Sequence, residues 1–417
     1  VRRWSCVAVL SLAVAGVAPA AEPAKVEPAL KPDDALLAKI AALPDNTWLR
    51  LPPLKVAGDL KWLRDPDLRR RGPFCRDYSN WMVWAPERKR ALYCGGGHNI
   101  LPWNDVWEYD LASNTWACLS PADSVSPAKP RGQPLAEFVK TSATFTGGVV
   151  RAKNGGPLRP AHTWCGLVYH PERRQMLFLE VHQGLIFTDK AALAKGFGLT
   201  AEQFQKQRKP GSYIWAYDAV KKTWDAEVET GVAGGEGAIM CYLSDRKTLW
   251  IKSARGGTVL YDPKKKTWTT LAKCPVGYGA VGAYDPNTRT AVVVNAGRDR
   301  TTKKAAFTTH TYSFDTNEWK RAHANARAGG RDAGCHFHYD TAAKKFVLLT
   351  NYVKPRLWLY DVTANTWTDP KPKGDNPPGG RLAGYYDPAR NVFVNYDSRS
   401  VYVYRCQRRK RDTEEKK

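Results

Sequence analysis

Two arginine–aspartate pairs are the side chains in this sequence best suited to polar recognition. Arg76-Asp77 and Arg331-Asp332 each lie eight and seven residues before an aromatic residue that ends an apolar run. A guanidinium group can hold a carboxylate through two parallel hydrogen bonds, and a carboxylate beside it can orient it. The repeated spacing predicts either a site for a polar or acidic small molecule or ion pairs that join neighbouring structural units.

Other polar residues occupy comparable positions, shortly before apolar runs. Glu236 or Asp332 beside an arginine has the chemistry for general acid–base work on a sugar. No complete catalytic set accompanies them, so the catalytic residues stay unknown. The predicted ligand-binding residues are Arg76, Asp77, Arg159, His162, Glu236, Tyr278, Arg331, Asp332, His336 and Arg381.

Motifs for several common enzyme chemistries are missing from the sequence. It contains no glycine-rich phosphate loop, no serine nucleophile elbow and no cysteine–histidine set with zinc spacing. The run Gly95-Gly96-Gly97 ends a strand pattern and opens no helix, so it does not indicate a nucleotide site. We therefore predict no cofactor and no metal.

A repeat determines which elements position these residues. Six times a tryptophan follows a short polar turn, at Trp48, Trp116, Trp224, Trp268, Trp319 and Trp367. An aromatic–aspartate pair precedes five of them: Tyr109-Asp110, Tyr217-Asp218, Tyr261-Asp262, Phe314-Asp315 and Tyr360-Asp361. The aspartate can accept hydrogen bonds from turn amides, and the tryptophan offers a large apolar face to a neighbouring unit.

Each unit of about 45 residues reads as four antiparallel strands, which is typical of a propeller blade. The last unit, residues 381–406, lacks its tryptophan strand, and the strand around Trp48 supplies it from the other end of the chain. The predicted fold is therefore all-β, a six-bladed β-propeller closed by an N-terminal strand that completes the last blade. A seventh blade within residues 117–165 is the alternative, although that stretch shows no strand pair of the blade type.

The arrangement resembles the kelch-repeat family, in particular the galactose oxidase-type kelch propeller, over about residues 45–406. Cys94-Gly95-Gly96-Gly97 carries the family's double glycine. The resemblance implies copper held by two tyrosines and two histidines, and it draws attention to His336 and His338 with the nearby Tyr339, Tyr385 and Tyr386. None of these matches the family's ligand motif one for one, and His338 lies one residue from the aromatic that ends its apolar run, which favours a core role for it.

Loop positions lead to the functional prediction. Connections between strands 2 and 3, and between strand 4 and the next blade, emerge at one end of a propeller. Both long insertions, residues 120–160 and 183–212, belong to such connections. The second should hold two short helices, one capped by Asp189 and one opened by a Thr200–Gln203 capping box. We predict a binding module that recognises a carbohydrate or a cell-envelope component through this end.

Two alternatives remain. The resemblance to exported kelch-type sialic acid mutarotases implies a sugar-modifying enzyme centred on Arg76, Asp77, Glu236, Arg331 and Asp332. The other is a structural envelope protein that docks anionic polymers, because the turns at the opposite end supply much of the excess of basic residues in a chain with a net charge of +24.

The start of the chain suggests export. Residues 1–20 have the charge, apolar run and Ala18-Pro19-Ala20 ending of a signal peptide, which predicts a periplasmic or secreted protein and argues against a nucleic-acid partner. Residues 21–44 read as a linker with a short helix, residues 45–406 as the propeller and residues 407–417 as a charged tail. No later segment is apolar enough to span a membrane. The cysteines left after cleavage allow either disulfides or buried thiols.

Overall fold

The computed structural model describes residues 30–58, 60–61, 66–76, 79–96, 104–122, 135–157, 162–179, 189–209, 213–229, 237–298, 305–325, 336–350 and 355–408. The helices are α1 (Asp34–Ala42), α2 (Pro66–Arg71), α3 (Leu135–Ser142), α4 (Lys190–Gly196) and α5 (Ala201–Gln207). No helix among these residues is long and apolar enough to cross a membrane.

The strands follow one another along the chain in hairpins. They are β1 (Thr47–Arg50), β2 (Lys55–Ala57), β3 (Val83–Ala85), β4 (Arg90–Tyr93), β5 (Val106–Asp110), β6 (Thr115–Ser120), β7 (Ala143–Thr146), β8 (Val149–Ala152), β9 (Leu167–His170), β10 (Gln175–Leu179), β11 (Tyr213–Asp218), β12 (Thr223–Glu229), β13 (Ile239–Leu243), β14 (Thr248–Lys252), β15 (Thr258–Asp262), β16 (Thr267–Leu271), β17 (Ala280–Asp285), β18 (Thr290–Arg298), β19 (Ala305–Ser313), β20 (Glu318–Asn325), β21 (His336–Asp340), β22 (Lys345–Thr350), β23 (Arg356–Asp361), β24 (Thr366–Thr368), β25 (Lys373–Gly374), β26 (Ala383–Asp387), β27 (Val392–Tyr396) and β28 (Val401–Arg405).

These strands form a six-bladed propeller, as the repeat predicted. Blades 1 to 5 are β3–β6, β9–β12, β13–β16, β17–β20 and β21–β24, and blade 6 is β26–β28 completed by β1. The innermost strands β3, β9, β13, β17, β21 and β26 contact one another in that order, and β26 contacts β3. The ring is therefore closed, and within each blade neighbouring strands are antiparallel.

A tyrosine opposite each repeat tryptophan explains why the repeat recurs. The two rings face each other across strands 3 and 4, with centroids 4.4–5.1 Å apart. Such cross-strand aromatic pairs stabilise a sheet beyond the area that they bury. The pairs are Tyr109–Trp116, Tyr217–Trp224, Tyr261–Trp268, Tyr312–Trp319, Tyr360–Trp367 and Tyr404–Trp48.

The Tyr404–Trp48 pair closes the ring. Trp48 lies on β1 opposite Tyr404 on β28, 4.9 Å between ring centroids, and is only 3% exposed. The Tyr404 hydroxyl donates to Asn46 Oδ1 at 2.9 Å, the same bond that Tyr109 makes to Asn114 within blade 1. The prediction that the Trp48 strand completes the last blade is confirmed.

One member of the predicted repeat was wrong. In blade 4 the residue opposite Trp319 is Tyr312, so the pair that follows the pattern is Tyr312-Ser313 and not Phe314-Asp315. Ser313 Oγ accepts a 3.3 Å bond from the Thr316 amide, which replaces the bonds of the usual aspartate. In the other blades with an aromatic–aspartate pair, the role of the aspartate in the turn was predicted correctly. Asp218 Oδ1, for example, accepts hydrogen bonds from two turn amides at 2.9 Å.

A second set of contacts joins consecutive blades at the end that carries the strand 1–2 turns. There an aromatic residue near the end of an innermost strand bonds a polar side chain in the preceding blade's turn. The bonds join Tyr169 to Glu87, Tyr242 to Glu172 at 2.5 Å, Tyr284 to Asp245 at 2.6 Å, and Tyr339 to Asn287 at 2.7 Å.

Replacing Tyr284 by phenylalanine should lower the free energy of unfolding by about 1 kcal/mol, because the bond to the Asp245 carboxylate is lost. Urea denaturation measures the effect. The same substitution in an Asp245→Ala background should cost close to nothing. Equal losses in the two backgrounds would show that the hydroxyl does not act through Asp245.

Candidate functional site

Arg76, the first predicted ligand residue, is held inside blade 1. Its guanidinium pairs with Asp105 at 2.6 Å and donates to the Gly95 carbonyl, and the two side chains are 3% and 0% exposed. Trp107 Nε1 donates to the same Asp105 oxygen at 2.6 Å. These bonds hold Arg76 within blade 1, so its ion pair joins neither two blades nor Arg76 to Asp77. Its neighbour Asp77 lies outside the described residues.

Of the other predicted site residues, His162, Tyr278 and Arg381 are described just before the innermost strands β9, β17 and β26, and we call this end of the strands the channel mouth. His162 is buried, Arg381 is exposed, and the Tyr278 side chain is 52% exposed. The Tyr278 ring makes an edge-on contact with Trp164, 5.3 Å between centroids. Trp164 has φ +46°, a left-handed backbone that bulky residues rarely adopt. The remaining residues, Arg159, Glu236, Arg331 and Asp332, lie outside the described residues.

Lys252 is a buried base near the mouth that sequence reasoning missed. It ends β14, its side chain is fully buried, and its ammonium group donates to the Gly277 carbonyl beside Tyr278. Desolvation lowers its pKa, and the nearby Cys274 and Cys165 oppose that shift. No local pattern indicated the burial, since a lysine that ends a strand is usually solvent-exposed.

His336 and His338 share one face of β21, toward blade 6, and both are largely shielded from solvent. Desolvation lowers the pKa of His336 to about 4. Desolvation, together with repulsion from the neighbouring His336, lowers the pKa of His338 to about 3. His336 Nε2 lies 3.1 Å from the Leu382 carbonyl oxygen.

The residues around this pair do not fit the copper set that the resemblance implies. Tyr339 points to blade 4, where Asn287 bonds its hydroxyl, and Tyr385 stacks on Trp84 of blade 1. The Tyr386 hydroxyl is bonded to Asn391 at 2.7 Å. The histidines and tyrosines are thus directed to different neighbours, and no group of three His, Cys, Asp or Glu that could hold a metal occurs in the described ranges.

The cysteines in the described part of the chain are free thiols. Cys75, Cys94, Cys165, Cys241, Cys274 and Cys406 are buried, and Cys118 is partly buried. Burial raises the pKa of each, so none has the features of a reactive thiolate.

A cavity of about 340 Å³ opens between blades 5 and 6, and we call it the seam cavity. Its floor is apolar, formed by Trp48, Leu349 and Leu357, each 5% exposed or less. Its rim combines bases, an acid, an amide and prolines from the blade 5 loop end and the connection to blade 6. The rim residues are Pro355, Arg356, Asp369, Lys371, Pro372, Asn376 and Pro377.

The backbone of the blade 5–6 connection shapes this cavity. Lys371 has φ +47°, and its amide is held by Asp369 Oδ1 at 3.0 Å. β25 then pairs in parallel with β1, so Gly374 lies beside Trp48. A side chain on Gly374 would collide with the Trp48 carbonyl oxygen, at 2.1 Å from its Cβ, which explains the glycine. None of the sequence-predicted ligand residues that the structure describes lines the cavity. The run of prolines after Trp367 was the available signal for a rigid connection.

The two insertions form one body, the insertion lobe, from residues 135–157 and 189–209. The predicted helices α4 and α5 are confirmed, with the Asp189 cap and the Thr200–Gln203 capping box. They pack with α3 and the β7–β8 hairpin, which the sequence had not indicated in residues 120–160. Their shared core contains Val139, Ala143, Val150, Ala152, Leu193, Ala194 and Phe204.

The lobe is attached to the outer edge of blade 2. The Arg151 guanidinium lies 5.5 Å from the Trp215 ring centroid and pairs with Asp225 at 3.4 Å. Gly156 packs against Trp224, where a Cβ would lie 2.8 Å from the indole. Residues 135–157 of this insertion therefore contact the outer strands of blade 2.

The opposite end of the ring carries basic turns, as predicted, and we call it the basic end. Several of its bases occupy the left-handed last position of a hairpin turn, with φ between 50° and 57°. The exposed bases in these turns are Lys89, Arg174, Lys221, Lys222, Lys247, Lys264, Lys265, Lys266, Arg289 and Lys344.

No protein-family model and no curated protein matches the chain. Among solved structures, an auxiliary nutrient binding protein from Bacteroides thetaiotaomicron aligns at 11% identity over 79% of this chain and 69% of that chain, with a TM-score of 0.44. YjhT aligns at 13% identity over 69% of this chain and 82% of that chain, with a TM-score of 0.41.

A chain of a nidogen/laminin complex aligns at 9% identity over 73% of this chain and 90% of that chain, with a TM-score of 0.36. At these scores the likenesses carry no argument about function. The propeller assignment rests on the sheet topology described above.

Proposed function

We propose that this protein is an exported binding module that recognises a carbohydrate, and that the sugar binds in the seam cavity. The observation that carries the proposal is the composition of that cavity, which has an apolar floor around Trp48 and a rim of Arg356, Asp369, Lys371 and Asn376. The end of a 2–3 connection and a 4–1 connection form this cavity.

The chemistry of the cavity matches that of a sugar. Sugar rings present C–H faces that pack on aromatic and proline side chains, and hydroxyl groups that need planar polar partners. Arg356, Lys371 and Asn376 supply donors, and Asp369 supplies an acceptor. The volume of about 340 Å³ falls within the range of about 300 to 1,000 Å³ that small-molecule pockets occupy.

Substituting a rim residue tests the proposal. Arg356→Ala and Asp369→Asn should each weaken glycan binding about tenfold, because each removes a charged hydrogen-bond partner. Glycan-array screening finds the probe sugar, and calorimetry with that sugar measures the change. Lys373→Ala is the matched control, since Lys373 is an exposed base on the same connection that does not line the cavity. A complete lack of glycan binding, or equal effects of Arg356→Ala and Lys373→Ala, would contradict the proposal.

Export is part of the same proposal and rests on residues 1–20. N-terminal sequencing of protein recovered from outside the cytoplasm should begin at Ala21. An intact N-terminus on cytoplasmic protein would count against it.

The sugar-modifying enzyme stays a prediction. Of its five residues only Arg76 is described, and that side chain is bonded within blade 1. The discriminating measurement is anomer exchange of sialic acid and simple aldoses by NMR, in which a rate above that of buffer would support the enzyme.

The basic end supports a second candidate function, docking on anionic polymers. Replacing Lys264, Lys265 and Lys266 with glutamine should weaken heparin binding several-fold at low salt and change little at high salt, because exposed charges are screened. Neutralising Lys140, Lys195 and Lys206 in the insertion lobe changes the net charge equally and is the control. Equal losses in the two triple variants would show a net-charge effect without a docking face.

A further inference from the structure

A second, much smaller cavity lies between blades 5 and 6, beneath the seam cavity. It measures about 10 Å³, and Trp48, Leu349 and Leu357 border both cavities. His336 and His338 of β21 line it from blade 5, and Asn395 of β27 lines it from blade 6. The two histidines and Asn395 therefore meet at one cavity, which Tyr385 and apolar residues also border.

Each of these side chains has a buried polar atom with no hydrogen-bond partner among the described residues. The atoms are His336 Nδ1, His338 Nε2 and Asn395 Oδ1, and His336 and Asn395 are 3% and 4% exposed. A buried polar atom left without a partner costs about 1 to 3 kcal/mol. Three such atoms around one cavity indicate a shared ligand.

The hydrogen-bonding character of the atoms can be assigned. His336 Nε2 lies 3.1 Å from the Leu382 carbonyl oxygen, which only accepts, so Nε2 carries the proton and Nδ1 offers a lone pair. Asn395 Oδ1 is also an acceptor. His338 Nε2 becomes a donor in the tautomer that places its proton there.

Gly384 on β26 keeps space open between two of these atoms. A Cβ at this position would lie 2.8 Å from Asn395 Oδ1 and 3.2 Å from His336 Nδ1. Both atoms therefore face the volume that a side chain at residue 384 would occupy.

We propose that one water molecule binds in this cavity and bridges blades 5 and 6. It donates its two protons to His336 Nδ1 and Asn395 Oδ1 and accepts one from His338 Nε2. Three bonds to buried polar groups are typical of an internal water, and the volume corresponds to about one water-sized sphere. The lining contributes no carboxylate or thiolate, which favours water over a metal cation.

A high-resolution crystal structure of the intact protein, with anomalous data collected for metals, tests the site. The expected result is one peak with three contacts of about 2.7 to 3.2 Å and no anomalous signal. An empty cavity, or an anomalous peak, overturns the proposal.

Solution measurements give an independent readout. Water-oxygen magnetic relaxation dispersion counts long-lived internal waters, and Asn395→Leu should lower that count by one. Gln205→Leu, at an exposed amide residue of the insertion lobe away from the cavity, should leave it unchanged. An equal count in the wild-type protein and Asn395→Leu would overturn the proposal.

Discussion

Replacing Trp48 by alanine is expected to lower the free energy of unfolding by about 3 to 5 kcal/mol, the usual cost of removing a buried tryptophan side chain. Trp48 packs against Tyr404 and is 3% exposed, in a cluster with Val347, Leu349 and Leu357 of blade 5. The loss affects both the last blade and its contact with blade 5. Thermal and urea denaturation measure it.

The matched control is Trp268→Ala. Trp268 has the same repeat position in blade 3, with its ring centroid 4.4 Å from that of Tyr261, but it is only partly buried and its strand joins no chain end. Trp268→Ala should therefore lower the free energy of unfolding by less than Trp48→Ala does. If the two variants lose the same stability, the closing strand has no special part in holding the ring together.

The second large effect is a loss of stability in acid. The pKa values of about 4 for His336 and about 3 for His338 lie below the value of 6.5 for an unperturbed histidine. Between pH 6.5 and those values the unfolded chain binds more protons, so the free energy of unfolding falls as the pH falls. Each pKa unit of difference between the folded and unfolded states corresponds to about 1.4 kcal/mol. The two histidines together should lower the free energy of unfolding by on the order of 5 kcal/mol by pH 4.

The His336→Phe/His338→Phe double variant isolates this effect, because carboxylates such as Asp340 also titrate in acid and remain in both proteins. Its stability should change less between pH 7 and pH 4 than that of the wild-type protein. His310→Phe is the control. Burial also lowers the pKa of His310, but this side chain is only partly buried. An unchanged pH dependence in the double variant would contradict the prediction.

Trp48 connects closure with the proposed ligand site, since it pairs with Tyr404 and also lines the seam cavity. A sugar bound there would contact both the closing strand and blade 5. Under the proposed function, ligand should raise the thermal stability of the ring by mass action, and the gain should grow with sugar concentration.

Local patterns account for the parts of the fold that were predicted. Alternation along a strand has a period of two residues, and a tight turn needs particular residues at fixed positions. Both are properties of neighbouring residues, so the tryptophan repeat, the turn aspartates and the Thr200 capping box could be recognised directly. The same locality explains the error in blade 4, where Phe314-Asp315 imitates the motif and only strand pairing identifies Tyr312 as the partner of Trp319.

The candidate site could not be predicted in the same way, because residues distant in sequence form it. The seam cavity depends on how the connection from β24 to β26 passes Trp48, about 320 residues away along the chain. The small cavity depends on which face of β21 turns toward Asn395. The insertion lobe depends on the packing of two segments from different loops. The sequence alone determined the propeller fold, the strand that closes the ring and the two ends of the propeller, because repeats and turns are local, whereas the sheet topology decided between six and seven blades. Only the tertiary structure decided which side chains meet between blades, because blade curvature and loop paths set those distances.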